Sequence, residues 1–112
     1  MDIGGTVAVV TGGASGIGRA MAIALAHEGA RTVVIADVDA AGSEETVRAV
    51  QAAGSRGVFH RTDVTNAGDL FDLVDQTQLR YTRFDILCNN AGIVDTPHGL
   101  FEQTADPDAW IK

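Results

Sequence analysis

The sequence predicts an α/β protein built on a doubly wound parallel sheet. Short runs of apolar, often β-branched residues alternate with longer stretches in which apolar residues recur at helical spacing. The unbroken apolar character of the first run is typical of a strand that is covered on both faces. Strands separated by helices are joined by right-handed crossovers, which produce a parallel sheet. We therefore expect ligands at the carboxyl ends of the strands.

About four strands and three helices are predicted in alternation. The predicted strands are residues 6–10, 32–36, 57–61 and 85–89. The predicted helices are residues 16–28, residues 40–53, and a third in which Leu70, Val74 and Tyr81 share one face. Asp39 is expected to cap the second helix, and either Thr65 or Asn66 the third. Asp106 followed by Pro107 predicts the start of one more helix.

A glycine-rich turn follows the first strand. Gly12, Gly16 and Gly18 stand at the spacing G-x-x-x-G-x-G, and the helical pattern begins at Ile17. Unpaired N–H groups at a helix N-terminus, together with the helix dipole, favour a phosphate there. Glycines allow a tight turn and let a diphosphate approach the backbone. We expect Ile17 to offer its N–H group to that ligand, while its side chain starts the buried face of the helix.

Asp37 narrows the class of phosphate-containing ligand that this turn is expected to bind. It closes the second strand 19 residues after Gly18, where an acidic side chain can accept hydrogen bonds from a ribose diol. Its charge would repel a 2′-phosphate, because two unit charges about 4 Å apart interact by roughly 4 kcal/mol at a partly exposed site. Its sequence neighbours carry no positive charge, and Ser15 in the turn is also uncharged. The sequence thus predicts NAD as the cofactor, in preference to NADP.

Composition limits the other classes of function. The chain has 112 residues, which is at most one domain, and a net charge of −7 argues against nucleic-acid and anionic-membrane partners. Cys88 is the only cysteine, so no disulfide forms within the chain, and His27 and His60 lack partners at metal-ligand spacing. The sequence shows no signal peptide and no membrane-spanning run, which favours a cytoplasmic location.

Three motifs in order make the chain resemble the N-terminal half of a short-chain dehydrogenase/reductase. Residues 11–18, Thr-Gly-Gly-Ala-Ser-Gly-Ile-Gly, match the glycine loop of that family, T-G-x-x-x-G-x-G. Asp63 and Val64 match its adenine-contacting pair, and residues 89–92 match its Asn-Asn-Ala-Gly motif. The resemblance implies a Rossmann fold in which residues 1–112 form a single NAD(P)-binding domain, shortened at its C-terminal end relative to the family.

The resemblance also implies an activity and a set of cofactor-binding residues. The family transfers hydride between nicotinamide and an alcohol or carbonyl substrate, and its members assemble as homo-oligomers. The residues expected to bind the cofactor are Gly12, Ser15, Gly16, Ile17, Gly18, Asp37, Asp63, Val64, Asn89, Ala91 and Gly92. Asp63 can accept a hydrogen bond from the adenine amino group, and Ala91 and Gly92 keep the backbone low beside a ribose. Asn90 is expected to brace the sheet.

The catalytic residues of the family are not found in this sequence. The family uses a tyrosine with a lysine four positions later, whereas Tyr81 and Lys112 are 31 positions apart. The catalytic residues are therefore unknown, and Tyr81 is expected to belong to the core. A non-catalytic nucleotide-binding or interaction module remains the alternative. A transferase that uses S-adenosylmethionine is disfavoured by the glycine spacing and by residues 89–92. A P-loop enzyme is excluded because no Gly-Lys-Ser/Thr follows the turn.

Overall fold

The computed structural model describes residues 2–90, and it confirms the predicted parallel α/β architecture. The strands are β1 (Val7–Thr11), β2 (Thr32–Asp37), β3 (Arg56–Arg61) and β4 (Ile86–Asn89). The helices are α1 (Gly16–His27), α2 (Ala40–Ala52) and α3 (Ala67–Tyr81). All pairings are parallel in the order β3-β2-β1-β4. The predictions for Ala91, Gly92, Asp106 and Pro107 lie outside the described residues.

Each face of the sheet has its own apolar core. On one face, Val10 and Ile35 pack with Leu25 of α1 and Val50 of α2. On the other face, Val9, Val34 and Ala36 pack with Leu73 of α3. Because neighbouring residues of a strand point to opposite faces, β1 and β2 must be apolar at every position. This explains why their sequences read as unbroken apolar runs.

Side-chain caps define where two of the helices begin. Asp39 precedes α2 and accepts a hydrogen bond from the Gly42 N–H group at 3.0 Å, as predicted. Of the two candidates for α3, Asn66 is the cap, and it accepts from the Asp69 N–H group at 3.0 Å. Each bond satisfies an N–H group that the helix itself leaves unpaired.

Two side chains differ from the predicted burial. Ile17 was expected to begin the buried face of α1, but 71% of its surface is exposed, so that prediction is wrong. Ile17 lies in the first turn of α1, and the buried residues of this helix are Gly18, Ala22, Leu25 and Ala26. In α3, Leu73 is buried with 1% exposure, whereas the predicted face named Val74, which is only half-buried.

No helix within residues 2–90 has both the length and the apolar character that a membrane span requires.

Candidate functional site

The carboxyl ends of the four strands meet along one edge of the sheet, and hydrogen bonds join the segments that leave them. The Gly12 N–H group, just after β1, donates to the carbonyl of Ala36 in β2 at 2.9 Å. The Thr62 N–H group, just after β3, donates to the carbonyl of Asp37 at 3.1 Å. This edge therefore brings together the glycine turn, Asp37 and the segment that contains Asp63, as expected for the ligand side of a parallel sheet.

The glycine turn depends on the missing Cβ atoms. Gly12 and Gly16 adopt φ values of 67° and 56°, which side chains other than that of glycine rarely adopt. A Cβ on Gly18 would lie only 2.0 Å from the carbonyl oxygen of Gly12 and 2.9 Å from Nδ2 of Asn90. Gly18 thus lets the first turn of α1 press against the strand end. Around Gly16, by contrast, a Cβ would meet no atom within 4 Å, so the turn is open on that side.

The N-terminus of α1 is the one helix start among the described residues that no side chain caps. Ser15 occupies the cap position, yet it makes no side-chain capping hydrogen bond, and the first turn holds no acidic residue. In α2 and α3 the corresponding side chains of Asp39 and Asn66 do accept N–H groups. The free N–H groups and the dipole of α1 can therefore serve an anion from outside the helix.

Asp37 lies directly against the glycine turn. Its Oδ2 accepts a hydrogen bond from the Ala14 N–H group at 3.1 Å, and its Oδ1 accepts from the Asp39 N–H group at 3.0 Å. Each carboxylate oxygen carries two lone pairs, so each still has one to offer to a hydroxyl group. Asp37 can therefore hold the turn in place and accept a diol at the same time.

Asp63 and Val64 follow β3 at the same edge. The Asp63 Oδ1 atom accepts from the Thr65 hydroxyl at 2.6 Å and from the Thr65 N–H group at 2.9 Å. These bonds, with the hydroxyl contributing most, lower the pKa of the Asp63 carboxyl below its ordinary value. Asp63 is thus a pure acceptor at neutral pH, which suits an amino group. The side chain of Val64 is buried, with 8% exposure.

Thr11 connects the ends of β1 and β4. Its hydroxyl is 3.2 Å from Oδ1 of Asn89 and 3.3 Å from the carbonyl oxygen of Cys88, and it accepts from the Asn90 N–H group at 2.9 Å. Asn89 is exposed and Asn90 half-buried, so the pair stands at the edge of the site. This bond is made by the backbone N–H group of Asn90, whereas the expected bracing role belongs to its side-chain amide and stays a prediction.

Sequence reasoning assigned no role to Thr11 or Arg19. A polar residue at the end of a fully apolar run was the available signal for Thr11, whose exposure is only 1%. The side chain of Arg19 reaches from α1 to α2 and donates to the hydroxyl of Thr46 at 2.9 Å. No local pattern announces that contact, because the two residues are 27 positions apart.

No role in the candidate site is assigned to Tyr81 or to the thiol of Cys88. Tyr81 is half-buried against the α3-side core, as expected, and Arg31 donates to its backbone carbonyl at 2.9 Å. Cys88 is half-buried in β4, and burial raises the pKa of its thiol. Within residues 2–90 no three His, Cys, Asp or Glu side chains are grouped to hold a metal ion.

Comparison with known proteins relates this geometry to one family. The family model described as short chain dehydrogenase matches residues 6–112. A cis-4-hydroxycyclohexanecarboxylate dehydrogenase from Sinomonas cyclohexanicum is 45% identical over 106 residues, which cover 95% of this chain and 41% of that protein. The match to an oxidoreductase of Thermotoga maritima likewise covers 41% of that protein. The chain thus spans about two-fifths of the length of these curated relatives.

Solved structures agree with the sequence comparison. A short-chain dehydrogenase/reductase from Burkholderia phymatum in complex with NAD has a TM-score of 0.73 and 37% identity, and the match covers 78% of this chain and 31% of that one. A metagenomic short-chain oxidoreductase in complex with NADP has a TM-score of 0.77 and 34% identity, with coverage of 83% and 42%. The chain belongs to the short-chain dehydrogenase/reductase family.

Proposed function

We propose that this chain supplies the NAD-binding part of an oxidoreductase that acts on an alcohol or carbonyl substrate. The observation that carries the proposal is the 3.1 Å hydrogen bond from the Ala14 N–H group to Asp37 Oδ2. It shows the acidic end of β2 in contact with the glycine turn after β1. A dinucleotide needs these two features side by side, because its diphosphate and its adenosine ribose are adjacent groups.

The described residues fit such a cofactor. The turn is open around Gly16, and the uncapped start of α1 offers N–H groups from Gly16, Ile17 and Gly18 to a diphosphate. The exposed side chain of Ile17 does not conflict with that role, which uses the backbone. The other residues of the proposed site are Gly12, Ser15, Asp37, Asp63, Val64, Asn89, Ala91 and Gly92.

The preference for NAD over NADP rests on the charge of Asp37. Both of its oxygens are fixed by N–H groups, so the carboxylate stays at the turn. A 2′-phosphate near it would meet a repulsion of roughly 4 kcal/mol at about 4 Å. Relatives of known structure include complexes with NAD and with NADP, so the preference is a property proposed for this chain from its own residues.

The bound nicotinamide would supply the hydride acceptor or donor. The described residues would bind and orient the cofactor, and none of them is proposed as the proton donor of the reaction. Tyr81 is unsuited to that task because it packs against the α3-side core. We further propose that residues 1–112 form a single dinucleotide-binding domain that works as part of a homo-oligomeric enzyme in the cytoplasm.

A second candidate is a nucleotide-binding or interaction module without catalysis. Residues 1–112 contain one tyrosine and one lysine, Tyr81 and Lys112, and these do not form the Tyr-x-x-x-Lys pair of the family, so hydride transfer must be tested directly. A nucleotide-binding module would bind NADH as the first candidate does, and only the first candidate transfers hydride. A turnover assay with a panel of alcohols and ketones separates them.

Titration with NADH and NADPH, followed by cofactor fluorescence, tests the site. We expect NADH to bind more tightly than NADPH. Asp37→Asn removes the charge and one acceptor, and should weaken NADH binding by about tenfold, which corresponds to roughly 1.4 kcal/mol. Asp75→Asn removes the same charge from an exposed position of α3 and serves as the control. Equal affinity of the unaltered protein for both cofactors would refute the NAD preference, and binding of neither would refute the site.

A further inference from the structure

The side chain of Arg19 fastens the glycine turn to helix α2. Its Nε donates to the Thr46 hydroxyl at 2.9 Å, and its Nη2 donates to the carbonyl of Gly42 at 3.2 Å and to that of Ala14. The same Nη2 is 3.3 Å from Oε2 of Glu45. One guanidinium group thus contacts the turn, the backbone of α2 and a carboxylate.

Ala14 brings this guanidinium close to Asp37. The N–H group of Ala14 donates to Asp37 Oδ2 at 3.1 Å, and its carbonyl accepts from Arg19. A single residue therefore separates the cation from the carboxylate that we propose for the ribose. A Cβ on Gly42 would lie 2.8 Å from the carbonyl oxygen of Ala14, which shows how closely α2 approaches the turn.

Arg19 has unused capacity to bind a phosphate. A guanidinium carries five N–H donors, and its fork matches the oxygens of a phosphate group. The bonds of Arg19 use Nε and Nη2, and within residues 2–90 no partner is found for Nη1. The side chain is 32% exposed, so it can be reached from solvent. Arg19 is therefore chemically able to bind a 2′-phosphate, although it is engaged elsewhere.

We infer that the ion pair between Arg19 and Glu45 is a second element of selectivity for NAD over NADP. In this ion pair, Glu45 prevents Arg19 from binding the 2′-phosphate of NADP. This inference rests on the proposed cofactor site and adds to the effect of Asp37. Glu45 acts in two ways: its carboxylate holds Nη2 toward α2, and its negative charge opposes a phosphate beside Arg19. Its side chain is 59% exposed, so its effect on affinity is moderate.

The chain offers a matched pair of variants for the test. Glu45→Gln removes the ion pair with Arg19, and Glu44→Gln removes the same charge one position earlier, from an exposed residue of α2. The dissociation constants of NADH and NADPH are measured for each variant in the full-length protein. We expect E45Q to tighten NADPH binding by about fivefold, the equivalent of a free energy near 1 kcal/mol. NADH binding by E45Q, and both affinities of E44Q, should stay within about twofold.

A third variant shows whether the tighter NADPH binding of E45Q depends on Arg19. Arg19→Gln in the E45Q background should abolish the gain for NADPH, and circular dichroism checks its folding. Where the double variant is misfolded, the comparison of E45Q with E44Q decides alone. An unchanged NADPH affinity in E45Q, or an equal gain in E44Q, would overturn the inference while NADH binding upholds the site. Failure of the unaltered protein to bind either cofactor would overturn the proposed function and this inference with it.

Discussion

Replacing Gly18 by alanine tests the geometry of the glycine turn. The added Cβ would lie 2.0 Å from the carbonyl oxygen and 2.7 Å from the carbonyl carbon of Gly12. Ordinary van der Waals contacts of a Cβ begin at 3.4 Å, so the turn and α1 must separate by more than an ångström. The obstructing atoms belong to the backbone, which cannot rotate away as a side chain can.

This displacement determines how much free energy of unfolding Gly18→Ala removes. Overpacking a well-packed site typically costs about 1–3 kcal/mol. The higher helix propensity of alanine offsets at most about 1 kcal/mol of this destabilisation at a helical position. Separation of the turn from α1 also strains the hydrogen bond from the Gly12 N–H group to Ala36, which is 2.9 Å long. We therefore expect a net loss of about 1–3 kcal/mol in the free energy of unfolding.

Two measurements on the full-length protein check this expectation. Thermal unfolding of G18A should shift down by at least about 2 °C, because 1 kcal/mol corresponds to roughly 2–8 °C for domains of 60–250 residues. The dissociation constant of NADH should rise at least about tenfold, because the N–H groups of the turn are displaced. Gly68→Ala is the control, since Gly68 also lies in the first turn of a helix and its added Cβ would approach only a side-chain atom, Oδ1 of Asn66 at 3.2 Å.

Unfolding of G18A and G68A at the same temperature would contradict a backbone clash at position 18. A destabilised G18A that binds NADH as tightly as the unaltered protein would contradict the expected loss of affinity. That second result would mean that the turn can move without losing the proposed diphosphate contacts.

Two further predictions concern the interior and the response to acid. Ser43 is fully buried and its hydroxyl has no partner among the described residues, so Ser43→Ala should leave the free energy of unfolding unchanged or raise it by up to about 1 kcal/mol. Thr46→Val removes a hydrogen-bonded hydroxyl and should lower the free energy of unfolding by about 1–3 kcal/mol. Urea denaturation compares the two variants, and an equal loss in both would contradict the prediction. Hydrogen bonds from Arg83, and a smaller contribution from the Val7 N–H group, lower the pKa of Asp85 below its ordinary value. Its carboxylate therefore stabilises the fold above about pH 4, and this contribution is lost as the pH falls through the lowered pKa. Asp85→Asn should accordingly destabilise the protein near pH 7 and much less near pH 3. An equal difference in unfolding temperature between D85N and the unaltered protein at both pH values would exclude this explanation.

Much of the fold could be predicted because its signals are local. The apolar runs predicted β1 and β2, because a strand covered on both faces needs apolar residues at consecutive positions. Asp39 predicted the start of α2, because a cap and the N–H group it accepts are only three residues apart. Where both ends of a strand or helix were predicted, the observed bounds differ from them by at most one residue. The position of β4 beside β1 is known only from the structure, since no local pattern encodes which strands pair.

The sequence by itself determined the order of the elements, the glycine turn and the acidic end of β2, because each depends on residues close together in the chain. Tertiary structure alone decided how the turn is held. The contacts of Thr11 with residues 88–90 span 77 to 79 positions, and those of Arg19 with α2 span 23 or more. The exposure of Ile17 was decided there as well, because helical spacing identifies an apolar face but not which of its residues other elements cover. Contacts at such separations depend on the packing of whole elements, and no spacing within the sequence reveals them.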